Sequence, residues 1–287
     1  MSAHLPTIHS AGILIIGDEV LNGKILDTNS HEFAKFCFQK LSVPLKRTVV
    51  CGDDEQDIVD SLKTLKDCSF VITSGGIGST HDDITYSAIA KAYNLDCRLD
   101  QETVDRMQNL RGEYLQHLKK DQLSAFYRMA TIPQPSIDSK TAVEKIFISD
   151  DLWVPVVGVD QRVYILPGVP QLFKKLLTGL LPYLKPRVQE TAAFERYFVK
   201  TTTKENELAP FLSGLQERCD AEFGKQAVKL GSYPHYTWQI NTISIISGIE
   251  TGALRKIVDE IVAGIGGNAK EISAQEEDRL TTEDPPQ

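Results

Sequence analysis

Cysteine is scarce in this chain, and its pattern excludes two common ways of stabilising a fold. Five cysteines are scattered over 287 residues, and no two of them form a C-x-x-C pair. A disulfide framework uses an even set of cysteines at short spacings, and a structural zinc site uses clustered ones. The sequence therefore predicts neither feature, and it indicates a reducing compartment.

Positive charge and long apolar runs are also lacking. The formal net charge is −8, whereas nonspecific binding of nucleic acid or anionic membranes needs a basic surface. No run approaches the roughly 20 apolar residues that span a bilayer, and no basic segment with an apolar core opens the chain as in a signal peptide. We predict a cytoplasmic protein, with the nucleus as an additional location, that binds neither nucleic acid nor membrane.

Several familiar catalytic signatures are missing as well. The sequence contains no G-x-x-x-x-G-K-[ST] P-loop, no G-x-G-x-x-G fingerprint after the first predicted strand and no G-x-S-x-G nucleophile elbow. The six histidines include no pair at H-x-x-x-H spacing, and there is no glutamate run of the Nudix type. These absences disfavour the common nucleotide, esterase and zinc hydrolase sites. An oxygen-ligated metal such as magnesium, manganese or cobalt fits the composition better.

What the chain does contain is an alternation of strands and helices. Apolar runs at 11–16, 45–51 and 70–73 read as strands, and amphipathic helices follow each of them. This pattern predicts βαβ units and therefore an α/β fold with a mostly parallel sheet. Later segments predict a helical stretch over 101–120 and an irregular loop over 131–140.

The chain divides into four predicted regions. Residues 1–10 read as a flexible leader, and residues 11–185 as the large α/β domain. Two prolines near residue 185 precede a change of pattern, and residues 190–267 predict a smaller α+β domain. The polar, acidic segment 268–287 is expected to be a disordered tail.

The most informative stretch is a glycine-rich turn that follows the third predicted strand. Gly75, Gly76 and Gly78 come directly after an apolar run, and Asp82 and Asp83 follow them, where a helix is predicted from about residue 82. Glycines allow a sharp turn and a close approach of backbone N–H groups to a ligand, which suits a phosphate. Carboxylates suit a hard divalent cation. The stretch predicts a site for a phosphate ester and its metal.

Two further loops are expected at the same edge of the sheet. The first follows strand one and contains Glu19, Lys24 and Asn29, and the second contains Gly168 within the sequence Leu-Pro-Gly-Val-Pro. Ligands of open α/β sheets bind outside the carboxyl ends of the strands. If strands one and three are neighbours, oxygen ligands and backbone donors would therefore face one crevice.

Each element also has a plainer interpretation. The glycines could form an ordinary tight turn, and acidic residues at a helix start could only complement the helix dipole. Glu19 and Asn29 could belong to a solvated loop and an ordinary N-cap. Arg128 is a candidate phosphate contact or a surface arginine, and Tyr233, within Gly-Ser-Tyr-Pro, could contact a planar ring or lie in a turn. The joint placement of these residues favours a site.

At these residues the chain resembles a known superfamily. The segments 17–29, 73–85 and 166–170 look like the signatures of the molybdopterin-binding-like (MoaB/Mog-type) superfamily. More narrowly, they resemble its CinA N-terminal branch, which includes the N-terminal domain of animal FAD synthase and the stand-alone fungal FAD pyrophosphatases. The resemblance covers roughly residues 10–182, and the smaller domain resembles the appendage of that branch. One departure is Ser79, where many relatives carry proline.

The resemblance implies a three-layer α/β fold and an enzyme of the nucleotide pyrophosphatase type. Members of this branch hydrolyse FAD or ADP-ribose with a divalent metal, often cobalt, and with potassium. It therefore implies FAD plus water giving FMN plus AMP, with Co²⁺ or Mg²⁺ and K⁺ as cofactors. Relatives are often dimers or trimers, so we expect a homo-oligomer, most simply a dimer.

The residues assign roles within that reaction. Asp82, Asp83 and Glu19 are the expected catalytic and metal-binding carboxylates. The remaining candidates are expected to contact the substrate; they are Gly75, Gly76, Gly78, Thr80, Asn29, Lys24, Gly168, Arg128 and Tyr233. Two alternatives remain open: a protein that binds or adenylylates molybdopterin in molybdenum cofactor synthesis, and a non-catalytic flavin- or nucleotide-binding module.

Overall fold

The computed structural model describes residues 5–189 and 192–283. The chain divides into two compact units, Met1–Gln189 and Glu190–Gln287. The division falls in the gap between the two predicted domains, 11–185 and 190–267. Each unit is described by itself below.

The first unit consists of eight strands and eight helices in its described part. Its strands are Ala11–Ile16 (β1), Leu45–Cys51 (β2), Phe70–Ser74 (β3), Asp96–Leu99 (β4), Thr131–Gln134 (β5), Val143–Ile146 (β6), Val156–Val159 (β7) and Val163–Leu166 (β8). Its helices are Asp18–Leu21 (α1), Asn29–Phe36 (α2), Glu55–Thr64 (α3), Thr85–Ala92 (α4), Gln101–Leu115 (α5), Lys120–Arg128 (α6), Pro170–Gly179 (α7) and Leu181–Leu184 (α8). A π-helical segment, Cys37–Leu41, extends α2, and a 3-10 turn, Lys185–Arg187, follows α8.

Six of these strands form one sheet in the order β2-β1-β3-β8-β7-β6. Strands β2, β1, β3 and β8 are parallel, and β7 runs antiparallel to both of its neighbours. All six residues of β1 are buried, as expected for a parallel strand whose two faces are both covered by helices. Helices α2 and α7 pack together, as do α3 and α4. The predicted three-layer α/β fold with a mostly parallel sheet is confirmed.

The predicted flexible leader is wrong for the residues that the structure describes. Ile8 is fully buried, and its N–H donates to the Arg187 carbonyl oxygen at 2.7 Å. Ser10 is also fully buried and exchanges hydrogen bonds with Ser69. The segment is ordered because it buries an isoleucine and pairs its backbone, which the short polar sequence before β1 did not suggest. Residues 1–4 lie outside the described residues.

A small second layer lies beside the main sheet. Strands β4 and β5 form an antiparallel pair, so part of the predicted irregular loop at 131–140 is a strand. The predicted helical stretch 101–120 is a helix that ends at Leu115, and α6 follows it. Residues of α5 and α6 share a hydrophobic cluster to which Trp153 also belongs. This cluster supports one wall of the cleft described below.

The second unit is an α+β domain built on one antiparallel sheet. Its elements are Glu195–Thr201 (β9), Glu205–Phe223 (α9), Val228–His235 (β10), Ile240–Ser247 (β11), Thr251–Gly264 (α10), Lys270–Ile272 (β12) and Ala274–Thr282 (α11). The strand order is β10-β11-β9-β12, and every neighbouring pair is antiparallel. The core lies between this sheet and helices α9 and α10. The predicted smaller α+β domain is confirmed as a fold class.

Two expectations for this unit are corrected. The segment Gly231–Pro234 is not a turn but part of β10, paired residue by residue with β11. The segment 268–287 is not a disordered tail in its described part, because β12 pairs with β9 and Leu280 of α11 is buried in a cluster with Phe198. An acidic amphipathic helix reads as a polar tail when only composition is considered. Residues 284–287 lie outside the described residues.

Among the described residues, no helix combines the length and the apolar character that a bilayer crossing requires.

Candidate functional site

The carboxyl ends of three parallel strands meet at one edge of the sheet. Ile15 of β1 is paired with Ser74 of β3, and Ser74 is paired with Leu166 of β8. The loops that follow these strands therefore start side by side. Strands one and three are neighbours, so the condition set by the sequence analysis is met, and the glycine-rich turn lies between the other two loops.

The glycine-rich turn has a backbone that other residues would not adopt. Gly75 and Gly76 have φ angles of 111° and 63°. A Cβ atom at Gly75 would overlap the Ile16 carbonyl oxygen, and one at Gly76 would overlap the Thr85 hydroxyl. Thr85 fixes the turn from the other side, because its hydroxyl donates to the Gly75 carbonyl oxygen and its N–H to that of Gly76, both at 2.9 Å. Both positions require glycine.

Asp83 holds the second half of the turn. Its carboxylate accepts the Gly78 N–H at 2.6 Å, the Thr80 N–H at 2.8 Å and the Thr80 hydroxyl at 2.5 Å. The helix predicted from about residue 82 begins only at Thr85, because Asp83 satisfies the N–H groups of the turn that precedes it. The structure thus gives Asp83 a structural task in addition to its predicted chemical one.

Only some of the turn's amides are available to a ligand. The Gly75 N–H donates to the Leu166 carbonyl oxygen at 3.1 Å, and that of Gly78 is taken by Asp83. The N–H groups of Gly76 and Ile77 have no hydrogen-bond partner within the described residues. The expectation that all three glycines donate is therefore corrected. Among the turn residues that line the cleft, the available donors are therefore Gly76 and Ile77.

Asn29 connects the three loops. Its side-chain nitrogen donates to the Ser74 hydroxyl at 2.9 Å and to the Gly168 carbonyl oxygen at 2.8 Å. Its side chain is almost completely buried, and its Oδ1 atom has no partner in the part of the chain that the structure describes. Gly168 in turn lies against Gly75, because a Cβ atom added to Gly168 would be 3.3 Å from the Cα atom of Gly75. Sequence reasoning identified Asn29 but not this bridging role.

These loops enclose a cleft of about 480 Å³. Seven of the predicted site residues line it; they are Glu19, Asn29, Gly75, Gly76, Gly78, Asp83 and Gly168. Apolar residues that the sequence did not single out complete the wall, among them Ile77, Met129, Trp153 and Leu172. The only sequence signal for any of these was the rarity of tryptophan, which occurs twice in the chain.

Other predicted residues do not line the cleft. Asp82 and Thr80 are exposed on the glycine turn, and Lys24 is exposed on the loop after α1. Arg128 lines a smaller cavity of about 150 Å³ behind the turn. Tyr233 belongs to the second unit, where it is half exposed and its ring lies over Gly231. The contribution of these five residues stays a prediction.

The carboxylates around the cleft influence one another. The nearby Thr80 hydroxyl lowers the pKa of Asp82 most, and its own backbone amide, His81 and Arg128 lower it further. Partial burial raises the pKa of Asp53, whereas the N–H of Asp18, which donates to it at 3.0 Å, acts in the opposite direction. The negative charges of Asp18, Glu19 and Asp82 raise the Asp53 pKa further. This edge is therefore strongly negative beside a bed of N–H donors.

Glu19 differs from the other carboxylates that line the cleft. Asp27 accepts the N–H groups of Asn29 and Ser30, and Asp83 holds the glycine turn. The Glu19 carboxylate folds back over Gly17 and accepts no hydrogen bond from any other described residue. Of the three, Glu19 is the carboxylate free to take a proton or a cation.

A divalent metal fits this donor set only in part. Within residues 5–189 and 192–283, no group of three or more His, Cys, Asp or Glu side chains is arranged to hold a metal ion. Mg²⁺ commonly keeps several waters and uses one or two carboxylates together with substrate phosphates. The donor set therefore suits a cation that arrives with a phosphate substrate, and it does not suit a closed structural site.

This fold and this strand-end site define a class of protein. The sequence resemblance implied a three-layer domain, and the structure has one, with the glycine turn, Asn29 and Gly168 at one edge of its sheet. Residues 12–186 match the family described as a probable molybdopterin binding domain. Because that match covers more than half of the chain, the chain belongs to this molybdopterin-binding domain family.

Individual relatives point to its CinA-like members. The chain is 31% identical over 241 residues to a "Probable FAD synthase" of Caenorhabditis elegans, covering 80% of this chain and 44% of that protein. It is 29% identical over 277 residues to a "CinA-like protein" of Syntrophobacter fumaroxidans, covering 94% of this chain and 60% of that protein. The chain thus spans less than two thirds of the length of either relative.

A solved structure supports the same assignment. The crystal structure of the protein CinA from Thermoplasma acidophilum matches 62% of this chain and 98% of its own, with a TM-score of 0.51 and 26% sequence identity. The predicted resemblance to the CinA branch is therefore confirmed for the family and the fold.

Proposed function

We propose that this protein hydrolyses a nucleotide pyrophosphate, with FAD as the first candidate substrate and ADP-ribose as the second. The observation that carries the proposal is the cleft at the strand ends: it is lined by Gly76 and Ile77, whose N–H groups have no partner within the described residues, and by the carboxylate Glu19. The Caenorhabditis elegans relative is named a probable FAD synthase, and this chain covers 44% of its length. That name supports a flavin dinucleotide as the substrate.

The N–H groups of Gly76 and Ile77 would bind phosphate oxygens. Helix α7 adds to them, because its first turn begins with Val169 as N-cap and Pro170 as first residue, and both residues line the cleft. A helix N-terminus carries a partial positive charge and unpaired N–H groups, which favour an anion. Preorganised donors of this kind stabilise the charge that develops in a transition state.

The carboxylate of Glu19 would assist the attack of water. The water oxygen forms a new bond to one phosphorus, the bond from that phosphorus to the bridging oxygen breaks, and Glu19 accepts the proton of the water. With FAD the products are FMN and AMP. General-base assistance of this type contributes roughly 10²- to 10⁴-fold in rate.

A divalent cation, Co²⁺ or Mg²⁺, would be held by the carboxylates at the rim. Asp82 is the candidate ligand, because Asp83 already accepts three hydrogen bonds and Glu19 is needed as the base. When bound, the cation would neutralise charge on the pyrophosphate and lower the pKa of a bound water. The sequence resemblance also implies potassium, so the assay is run with and without K⁺.

The test is an assay of the purified protein with FAD or ADP-ribose, with Co²⁺ or Mg²⁺ and with or without K⁺, followed by nucleotide chromatography. We expect AMP release, a loss of roughly 100-fold or more in Glu19→Gln, and a weaker metal dependence in Asp82→Ala. Asp105→Asn, an exposed change on α5, is the matched control and should behave as the parent. No AMP release under any metal condition would refute the proposal.

A second function is favoured by the family match itself. Its description names molybdopterin, so molybdopterin binding, or its adenylylation with ATP and Mg²⁺, is the alternative activity. Formation of adenylylated molybdopterin without FAD cleavage would favour it. Tight FAD binding without turnover would instead favour the non-catalytic module, with which the lack of a three-ligand metal group in the described residues agrees. Light scattering on the same sample tests the predicted homodimer.

A further inference from the structure

A second cavity lies directly beside the proposed substrate cleft. It has a volume of about 490 Å³, and it shares Trp153, Val154 and Leu172 with the cleft. The three shared residues form a partition, with the phosphate-binding turn on one side and Arg111 on the other. None of the chemistry proposed above uses the second cavity or the partition.

Trp153 is the largest side chain of this partition, and it is held in place. Its ring packs against that of Phe126 of α6, with centroids 5.8 Å apart and planes inclined by 51°. It remains partly exposed and lines both cavities. A partly exposed indole with one side fixed by packing is a rigid surface for stacking, because little side-chain entropy is lost when a ring binds to it.

The far side of the partition carries a positive charge. Arg111 has no hydrogen bond or ion pair with any residue in the described ranges. The other charged residue of that cavity, Asp151, is paired with Lys175, which also lowers the pKa of Asp151. Arg111 is therefore the uncompensated charge of the second cavity, suited to the electron-rich edge of a heterocycle or to a phosphate.

We propose that Trp153 is the stacking surface for one of the two ring systems of a dinucleotide substrate, whose nucleoside half extends over the partition to Arg111. The inference deepens the proposed function and rests on it for the identity of the substrate. A cleft of about 480 Å³ lies in the lower half of the roughly 300–1,000 Å³ range of pockets for single drug-sized ligands. A dinucleotide with two ring systems needs the additional space beside it.

The test separates the two halves of the substrate. FMN and AMP are titrated individually into the parent protein, Trp153→Phe and Trp153→Ala, and binding is measured by equilibrium dialysis. We expect Trp153→Ala to weaken one mononucleotide by roughly 5- to 100-fold, the range for loss of one stacked base, and Trp153→Phe to retain most of the affinity. A loss for FMN assigns the isoalloxazine to Trp153, and a loss for AMP assigns the adenine. Arg111→Ala should weaken the same mononucleotide, and Arg47→Ala, on β2, is its control.

A second measurement keeps the inference testable if Trp153→Ala fails to fold. In a Trp238→Phe background, Trp153 is the only indole, and its fluorescence should be quenched when the stacked mononucleotide binds. Unchanged affinities for both mononucleotides in Trp153→Ala, no quenching by either, or no binding of either to the parent protein would each overturn the inference. A binding loss in Trp153→Ala without any FAD hydrolysis by the parent would retain the inference and refute the proposed hydrolase.

Discussion

Replacing Gly75 by alanine is the most demanding test of the site geometry. The glycine has a φ of 111°, and an added Cβ would overlap the backbone carbonyl oxygen of Ile16 at the end of β1. That oxygen belongs to the neighbouring strand, so it cannot rotate away as a flexible side chain would. The substitution must therefore move either the end of β1 or the glycine turn.

The expected cost follows from two contributions. A non-glycine residue in a sparsely populated positive-φ region costs about 1–3 kcal/mol, and forcing extra volume into a packed site costs about 1–3 kcal/mol more. We therefore expect Gly75→Ala to lower the free energy of unfolding by about 2–6 kcal/mol. Because domains are stable by only about 5–15 kcal/mol, much of the stability of the first unit would be lost.

Gly112 provides a matched control with the opposite expected sign. It lies within α5, and nothing lies within 4 Å of an added Cβ. Gly112→Ala should raise stability by roughly 0.5–1 kcal/mol, because alanine has the higher helix propensity.

The assay is urea unfolding followed by tryptophan fluorescence in a Trp238→Phe background, so that Trp153 reports on the first unit alone. A Gly75→Ala protein within about 0.5 kcal/mol of its parent, the scatter of ordinary surface substitutions, would refute the described geometry of the turn.

Three further outcomes follow from the structure. In urea unfolding, Asp83→Asn should lower the free energy of unfolding by about 1–3 kcal/mol, since it disrupts charge-assisted hydrogen bonds. The exposed Asp82→Asn should change it by less than about 0.5 kcal/mol. Equal effects of the two substitutions would contradict the role of Asp83 in holding the glycine turn. Asn29→Ala should lower stability by about 1–3 kcal/mol because two buried hydrogen bonds are lost, and an unchanged midpoint would contradict this. Burial raises the pKa of Asp100, but hydrogen bonds from Lys145 and from the start of α5 lower it more, to below its ordinary 3.8. The stability that this ion pair contributes is therefore complete above that value and lost as the pH falls through the lowered pKa, so the difference in stability between the parent and Asp100→Asn should shrink as the pH falls below 3.8; a difference that does not shrink with falling pH would refute the assignment.

Local sequence patterns predicted the strands of the main sheet that consist of continuous apolar runs. The first strand was predicted over 11–16 and is observed there, and the third ends one residue later than predicted, at Ser74. Continuous apolar runs bounded by glycine and polar residues are strong strand signals. The predicted loop at 131–140 hid a strand because Pro133 reads as a breaker, although proline is tolerated at a sheet edge such as β5.

The candidate site was predicted in its residues but not in its connections. The glycine turn, Glu19 and Asn29 carry local signals, and the strand-end rule brings them to one edge. The hydrogen bond from Asn29 to Gly168 joins residues 139 positions apart, and no local pattern contains such a contact. For the same reason the sequence could not show that Leu166 and Asp83 occupy the amides of Gly75 and Gly78.

The bridge made by Asn29 determines which parts of the cleft can adapt to a ligand. The buried side-chain amide of Asn29, which follows β1, is hydrogen-bonded to the last residue of β3 and to Gly168 after β8. The floor of the cleft, formed by these strand ends, therefore cannot widen unless both hydrogen bonds break. Leu26 and Val169 at the margin are 83% and 58% exposed, and such weakly packed positions rearrange at little free-energy cost. The floor of the cleft is therefore rigid, whereas its margin around Leu26 and Val169 can rearrange. Ligands that share a phosphate group but differ in ring size would be accommodated by movement of this margin, while the phosphate position stays constant.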